Sequence, residues 1–398
     1  MLGLGNTITS GSHHEQQYSL LFDGVGDLLD LGDSFQSTLR GDFLWSFWMK
    51  PADGHPGYLD YIIGVETSNE KNVFQIQLLP AGDSDAGKLE IIHNTSDGST
   101  DDTASYKTDA AFFADGGGNN WTHVAVRVNY NSSGDGTTTY MIYKNGDEVD
   151  ATRTNSISAA NHVNYTSTHN IYMGANNEHD ATPNGFYYGR IDEVALFSTS
   201  PGSARIPAIY NLGYPYDLNY DRGDYNFSSN LVAYWRMGNG LFDDKVNGIV
   251  HDAHNPGFGA DLVVNGSFSA DSNWTKQDGW TISGGTANFN FNNDNGSNRN
   301  IYPASSILTA GNIYKLEFDI TSVTAGGIRM VNSSVSDDTT FSTVGTHILY
   351  WEATGVHLYM KADADAILSI DNVKVYKLNG YPAIVTDAVF SINTPDDE

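Results

Sequence analysis

The chain has 398 residues and no cysteine, and its 48 Asp and Glu against 20 Lys and Arg give a formal charge of −28 at pH 7. Without cysteine it can form neither disulfides nor cysteine-based zinc or nucleophile sites. Such an acidic surface repels phosphate backbones, and no apolar run approaches the ~20 residues of a membrane span, so we expect neither nucleic-acid binding nor membrane insertion.

The predicted elements are strands, because short runs of Val, Ile, Tyr, Phe and Trp alternate with turn-forming Gly, Asn, Asp and Ser. Residues 1–17 are polar and predict an N-terminal arm. Asn145-Gly146 predicts a type I′ hairpin, and one helical turn is expected at 204–210. The strands expected in a first domain, residues 18–257, are 18–32 (two strands), 43–51, 61–65, 73–79, 88–93, 122–128, 138–144, 169–174, 189–197 and 231–237.

A second domain is expected at 258–380, after a stretch rich in Gly, Pro and Asn at 252–259. The final residues, 381–398, predict a C-terminal tail whose apolar run at 383–390 adds an edge strand or docks on a partner. Two β-sandwiches account for this spacing of strands and turns. The strands expected in the second domain are 261–268, 280–282, 286–291, 313–320, 327–331, 347–351, 356–361 and 366–376.

The first domain resembles the laminin-G-like, concanavalin A-like jelly roll. The phrases that carry this resemblance are Leu21-Phe-Asp-Gly, Trp121-Thr-His-Val-Ala-Val, Tyr143-Lys-Asn-Gly, Gly189-Arg-Ile-Asp-Glu-Val-Ala-Leu-Phe and Ile209-Tyr-Asn-Leu-Gly. The following Leu231-Val-Ala-Tyr-Trp-Arg-Met resembles a segment of tailed-phage structural proteins, as does the opening Met1-Leu-Gly-Leu-Gly-Asn. The resemblance implies a lectin-like sandwich on a virion surface.

The second domain resembles the smaller, galactose-binding-like β-sandwich of carbohydrate-binding modules. Leu262-Val-Val-Asn-Gly-Ser-Phe, Tyr314-Lys-Leu-Glu-Phe-Asp-Ile and Ile370-Asp-Asn-Val-Lys-Val-Tyr carry it. This resemblance implies a structural calcium held in part by Asp371, although Ser269 stands where the family commonly has an acid. In the first domain, Asn177 and Asp180 of the oxygen-rich stretch 176–180 are candidate calcium ligands, or belong to a solvated turn.

Carbohydrate binding requires a flat aromatic ring for the sugar face, with amide or charged groups for the hydroxyls. Trp280 and Trp351 are expected to fill the core of the second domain instead. The candidate binding residues are Trp274, Tyr302 and Arg299 in the second domain and His55, Tyr58 and Asn176 in the first.

Glycoside hydrolysis requires two carboxylates ~5–9.5 Å apart across the scissile bond. The Glu-x-Asp-x-x-Glu strand of glucanases with the resembled fold does not occur in the sequence. Asp192 and Glu193 are adjacent, so on a regular strand they would point to opposite faces. We therefore predict no catalytic residues and no enzymatic activity.

Together these features predict a non-enzymatic structural protein of a tailed-phage virion, as a capsid decoration, head fibre or tail appendage. We expect it on the virion surface, extracellular after lysis because the start does not read as an export signal. The expected partners are other virion proteins, further copies of the chain in a homo-oligomer, and host-surface glycans. The alternatives are a bacterial extracellular glycan-binding adhesin and, less favoured by the residues, a polysaccharide hydrolase.

Overall fold

The computed structural model describes residues 17–33, 36–52, 59–67, 71–80, 84–96, 101–113, 120–130, 138–154, 170–177, 182–293, 299–332, 335–336 and 339–395. It confirms the all-β fold class. The chain divides into two compact units, of which the first comprises residues up to Pro256 together with those from Gly380 onward. The second unit is Gly257–Asn379.

The strands and helices follow one another in chain order. The strands are β1 (Ser19–Asp23), β2 (Leu28–Asp30), β3 (Phe43–Pro51), β4 (Asp60–Thr67), β5 (Lys71–Leu78), β6 (Leu89–Ser96), β7 (Asp101–Thr108), β8 (Thr122–Asn129), β9 (Thr139–Lys144), β10 (Asp147–Glu148), β11 (Ala151–Thr154), β12 (Tyr172–Met173), β13 (Asn176–Asn177), β14 (Pro183–Asn184), β15 (Tyr188–Phe197), β16 (Leu231–Trp235), β17 (Ile249–Val250), β18 (Phe258–Asp261), β19 (Trp274–Lys276), β20 (Trp280–Ser283), β21 (Thr286–Asn290), β22 (Asn300–Pro303), β23 (Ile313–Ala325), β24 (Ile328–Asn332), β25 (Val335–Ser336), β26 (Gly345–Glu352), β27 (Tyr359–Ala362), β28 (Ile367–Leu378), β29 (Ala383–Thr386) and β30 (Val389–Ser391). The α-helix is α1 (Ile206–Tyr210), and the 3-10 turns are Gln36–Arg40, Ser203–Arg205, Asn211–Gly213, Ser228–Asn230 and Phe291–Asn293.

The first unit is a sandwich of two antiparallel sheets. One sheet runs β10-β9-β8-β3-β15-β1-β30, with β16 also paired to β15. The other runs β11-β7-β6-β5-β4-β12-β2-β29-β17. Strand β15 pairs with two strands along the same edge. Strand β1 pairs with its first half and β16 with its second half. Side chains that alternate inward from both sheets form one large core, which includes Phe22, Phe43, Trp45, Phe74 and Trp235.

The chain covers the outer face of the first sheet with its own segment. Helix α1 and the loop after it pack a smaller apolar cluster, which includes Phe197, Ile209 and Tyr225, onto that face. The predicted helical turn is confirmed, with Pro near its start and Asn211 at φ 50° as its left-handed C-cap. In the described part of the chain, no helix has the length and apolar character needed to cross a membrane.

The residues predicted to form a C-terminal tail belong to the first unit. Strand β29 lies inside the second sheet, between β2 and β17, and β30 pairs with β1. The indole Nε1 of Trp235 donates to the Tyr381 carbonyl at 2.7 Å, and that of Trp121 donates to Asn393 Oδ1 at 2.9 Å. The sequence showed the apolar run but not its partners, because those strands belong to distant parts of the chain.

The second unit is also a sandwich. A six-stranded sheet runs β20-β21-β28-β23-β26, with β18 paired to β28, and faces a five-stranded sheet β19-β22-β27-β24-β25. Trp280 and Trp351 lie in its core, as predicted. The two ends of this unit are adjacent, because the Asn379 N–H donates to the Gly257 carbonyl at 3.0 Å.

The strand predicted at 261–268 is wrong beyond its first residue. Strand β18 ends at Asp261, and the chain then turns through left-handed positions at Asn265 (φ 62°) and Phe268 (φ 47°). Gly266 in this turn accepts a hydrogen bond from the Val373 N–H, and a Cβ there would lie 1.9 Å from the Val373 carbonyl oxygen. Close backbone approach, which glycine alone permits, therefore replaces strand pairing at this position.

A buried histidine makes the stability of the first unit depend on pH. The ring of His93 lies in the core with its Nδ1 2.7 Å from the Tyr140 hydroxyl and its Nε2 3.3 Å from that of Tyr130. Burial lowers the pKa of His93 to about 3 from the ordinary 6.5. As the pH falls through 6.5, His93 is protonated in the unfolded chain but stays neutral in the folded chain. The free energy of unfolding therefore decreases below pH 6.5.

We expect His93→Gln to remove the part of this loss that His93 causes, while His123, whose pKa burial also lowers to about 3, keeps its own part. Between about pH 7.5 and 5, the free energy of unfolding of the variant should fall by about 2 kcal/mol less than that of the wild type. Urea titration of the first unit at both pH values measures the difference, with exposed His254→Gln as the control. Equal pH dependence in the wild type and His93→Gln would contradict the buried neutral ring.

Candidate functional site

The outward face of the five-stranded sheet in the second unit carries the candidate site. Side chains on a strand alternate between faces, and here Ile301 and Met360 point into the core. The residues between the inward positions are half-buried and face outward. They include Asn300 and Tyr302 on β22, Tyr359 and Lys361 on β27, and Arg329 on β24.

Three aromatic rings cluster at one end of this face. The ring centroids of Tyr302 and Tyr359 are 4.8 Å apart with planes at 64°, so the pair packs edge to face. His357 extends the cluster, with its ring 5.9 Å from Tyr359 and 6.4 Å from Tyr302. Rings that hold one another in this way present fixed apolar surface with a polar edge.

A row of polar side chains crosses the same face one step along the strands. Lys361 lies in register with Asn300 on one side and Arg329 on the other. Residues two apart on a strand share a face at a spacing of roughly 7 Å, so this row runs beside the two tyrosines. We call the five residues Asn300, Tyr302, Arg329, Tyr359 and Lys361 the tyrosine–lysine face.

Two atoms of this row are shielded from solvent and have no hydrogen-bond partner, the Oδ1 of Asn300 and the Nε of Arg329. The backbone N–H of Asn300 donates to Gln277 Oε1 at 3.0 Å, which fixes the backbone beside the row. An unmet donor and an unmet acceptor are costly when buried. The row is therefore an unsatisfied polar surface beside an apolar one.

Of the three candidates predicted in the second unit, Trp274 lies in the core. Trp274 is 7% exposed, its ring packs on Phe268 at 4.9 Å, and its Nε1 donates to the Asn265 carbonyl at 3.0 Å. Its face is therefore part of the core and not a sugar platform. Arg299 accepts the Trp280 Nε1–H through its carbonyl at 2.8 Å, so its backbone anchors a core residue. Tyr302 belongs to the tyrosine–lysine face.

The asparagines predicted in the first unit hold the β13–β14 hairpin against β4. The Oδ1 of Asn176 accepts from Gln75 Nε2 at 3.1 Å, and its Nδ2 donates to Glu66 Oε2 at 3.3 Å. Asn177 donates to the Asn170 carbonyl at 2.7 Å. Both side chains are buried, so hydrogen bonds within the fold occupy them.

The other candidates of the first unit, His55, Tyr58 and Asp180, lie outside the described residues.

The neighbourhood of Asp371 is occupied by protein hydrogen bonds. Its Oδ1 accepts the Asn372 N–H at 2.7 Å, and it lies opposite Asp319 in the β23–β28 pair. Asp319 accepts hydrogen bonds from Thr346 and Asn372, which hold its pKa below the usual value. No group of three or more acidic or histidine side chains suited to a metal occurs among the residues described. Calcium binding stays a prediction.

Ser269, which stands where the resembled family commonly has an acid, also takes part in hydrogen bonds within the protein. Its hydroxyl donates to Asn265 Oδ1 at 3.0 Å, and the Asn265 amide donates in turn to the carbonyls of Ala270 and Ser272 at 2.8 and 2.9 Å. The Asn265 amide N–H groups therefore already bind the carbonyl oxygens of Ala270 and Ser272 in this turn.

The adjacent acids of the first unit form a buried structural pair with an arginine. Strand β15 has a bulge between Asp192 and Ala195, with Glu193 in a left-handed conformation at φ 47°. The bulge buries both Asp192 and Glu193, contrary to the expectation of opposite faces on a regular strand. Glu193 Oε1 lies 2.9 Å from Arg236 Nε. These carboxylates do not face each other across an open cleft, the arrangement that hydrolysis requires.

Residues 23–206, just under half of the chain, match a family model of laminin-G type that is described as the Concanavalin A-like lectin/glucanases superfamily. Together with the two-sheet topology, this match confirms the concanavalin A-like sandwich of the first unit. A search of curated proteins gave no match to the chain.

Solved structures with similarity are all distant. A carbohydrate-binding candidate from Bacteroides ovatus is 16% identical over 60% of this chain and 56% of its own, with a TM-score of 0.40. The chain thus spans little more than half the length of that protein. The CBM40 of a Ruminococcus gnavus IT-sialidase is 13% identical over 50% of this chain and 99% of its own (TM-score 0.37). Domains LG4-5 of the mouse laminin alpha1 chain are 12% identical over 94% of this chain and 88% of their own, with a TM-score of 0.31.

Proposed function

We propose that the chain is a non-enzymatic glycan-binding protein and that its second unit binds saccharides on the tyrosine–lysine face. The observation that carries this proposal is the fixed pair of Tyr302 and Tyr359, 4.8 Å apart, beside the polar row Asn300–Lys361–Arg329. A sugar ring presents C–H groups to an aromatic surface and hydroxyls to amide and charged groups, and this face offers both.

The first unit supports a binding role through its match to a superfamily of lectins and glucanases. We propose that the first unit acts as a lectin and not as a glucanase. The tyrosine–lysine face contains no acidic residue, and the adjacent acids of β15 are buried against Arg236. Hydrolysis would need two carboxylates on either side of a bound sugar.

Replacing either tyrosine with alanine is expected to weaken glycan binding roughly tenfold, because each ring supplies stacking surface. Glycan-array screening of the full chain identifies a ligand, and calorimetry compares Tyr302→Ala and Tyr359→Ala with wild type. Tyr376→Ala is the matched control, because this half-buried tyrosine lies on the other sheet, packed on Phe258. Binding that survives the double alanine variant unchanged would reject this face as the site.

We further propose, from the resemblance of the segment that begins at Leu231 to tailed-phage structural proteins, that the protein displays its units on a virion. A bacterial adhesin would use the same face on a cell surface. Antibody labelling of purified phage particles in electron micrographs separates the two, because an adhesin would be absent from particles.

A further inference from the structure

We propose that the saccharide recognised on the tyrosine–lysine face is anionic, with a carboxylate or sulfate group that Lys361 and Arg329 bind. This inference rests on the proposed function of the same face and names the class of its ligand. It is carried by the juxtaposition, on one sheet surface, of two cations that form no ion pair with a described residue, the Asn300 amide and two tyrosine rings.

The register of the sheet places the two cations side by side. Lys361 on β27 lies opposite Arg329 on β24, and neighbouring strands are about 4.8 Å apart. Two positive side chains this close repel each other unless a negative group lies between them. A carboxylate or sulfate fits this position, because the guanidinium fork can donate two parallel hydrogen bonds and the ammonium a third.

Among the residues that the structure describes, none supplies a counter-charge to Lys361 or Arg329. Elsewhere in the unit, Lys276 pairs with Asp271, and Lys315 and Lys374 both pair with Glu317. Neither Lys361 nor Arg329 forms an ion pair with any residue in the described part of the chain, and Arg329 Nε has no hydrogen-bond partner. Their positive charge therefore remains available to a ligand.

The second unit carries only a small part of the negative charge of the chain, which favours the binding of an anion there. The second unit contains seven Lys and Arg against twelve Asp and Glu, so it accounts for only −5 of the formal charge of −28. An anion approaching the chain is repelled least at this unit, and at close range within a Debye length of about 8–10 Å the two cations dominate.

The tyrosines and the amide favour a sugar acid over a simple inorganic anion. Tyr302 and Tyr359 offer about a ring's width of apolar surface next to the cations, and Asn300 offers an acceptor for a hydroxyl. A uronic acid, a sialic acid or a sulfated hexose combines an anionic group, an apolar ring face and hydroxyl groups. Single-stranded nucleic acid also stacks on tyrosine, but its repeated phosphates meet the negative charge of the whole chain.

The test uses the full chain and an array in which sialylated, uronic-acid and sulfated glycans each stand beside their neutral parent. Calorimetry then follows the tightest pair at about 50 mM and about 500 mM NaCl. We expect the acidic member to bind about tenfold or more tightly than the neutral one at low salt, with the preference shrinking at high salt. Lys361→Gln and Arg329→Gln should each weaken acidic binding about tenfold more than they weaken neutral binding. Lys377→Gln, which removes the same charge at an exposed position on β28, should change neither.

The outcomes separate this inference from the proposed function. Equal binding of acidic and neutral glycans that Tyr302→Ala still weakens would overturn the anionic class and leave glycan binding standing. No binding to any glycan would overturn both. Tighter binding of a thymidine oligonucleotide than of every acidic glycan would also overturn the inference, because the face would then serve a nucleic acid.

Discussion

Truncation of the chain after Asn379 is expected to leave the first unit unfolded while the second unit stays folded. The removed residues contain β29, an interior strand whose loss would separate β2 from β17. They also contain Ala383 of the core and the Tyr381 carbonyl that accepts the buried Trp235 Nε1–H. Losing this strand detaches the edge strand β17, exposes the edge of β2, opens the core and leaves a buried donor unmet, which together exceed ordinary stabilities of 5–15 kcal/mol.

Thermal unfolding followed by calorimetry checks this expectation. The full chain should show transitions for both units, and the truncated chain should show that of the second unit alone. A chain that lacks only residues 396–398 serves as the control, since β29 and β30 remain in it. If the truncated protein kept the transition of the first unit, β29 would not be the structural strand described here.

Replacement of Arg236 by methionine should destabilise the first unit by about 3–5 kcal/mol, because Glu193 would be left charged and buried without its partner. The Glu193 carboxylate lies 2.9 Å from Arg236 Nε, and both side chains are almost fully buried. The bulge in β15 that buries Glu193 fixes its position, so the carboxylate cannot move to solvent without disturbing the strand.

The double variant Arg236→Met, Glu193→Met provides the comparison that isolates the charge. With both ions gone, two apolar side chains fill the space, and we expect most of the loss to be recovered. Urea unfolding of the wild type, both single variants and the double variant gives the coupling energy. A double variant as unstable as the sum of the two single variants would mean that the two side chains act independently.

Local signals in the sequence predicted many strands of both units and the turns between them. Asn145-Gly146 predicted a type I′ hairpin, and both residues have the required positive φ, 52° and 88°. Strand β7 was missed, because its sequence Asp-Asp-Thr-Ala-Ser-Tyr-Lys-Thr has few apolar residues, with Ala104 and Tyr106 the ones that pack towards the core. A strand near the margin of a sheet needs little apolar surface, so its pattern resembles a polar loop.

The candidate site was only partly predictable, for a different physical reason. Tyr302 was identified as an aromatic residue near polar neighbours, whereas Tyr359, Lys361 and Arg329 were not. They join Tyr302 through the register of β22, β27 and β24, which are far apart in sequence. The alternation within each strand shows that these residues face outward, but no local pattern shows which strands are neighbours. Trp274 was assigned to the site because composition alone does not reveal which way an indole faces.

The adjacent ends of the second unit, joined by the hydrogen bond from Asn379 to Gly257, have a consequence for biosynthesis. All the strands of the second unit are synthesised before β29 and β30 of the first unit. The sequence of the second unit is therefore complete while the first unit still lacks its last two strands. The unit that begins later in the chain is thus the first whose strands have all been synthesised.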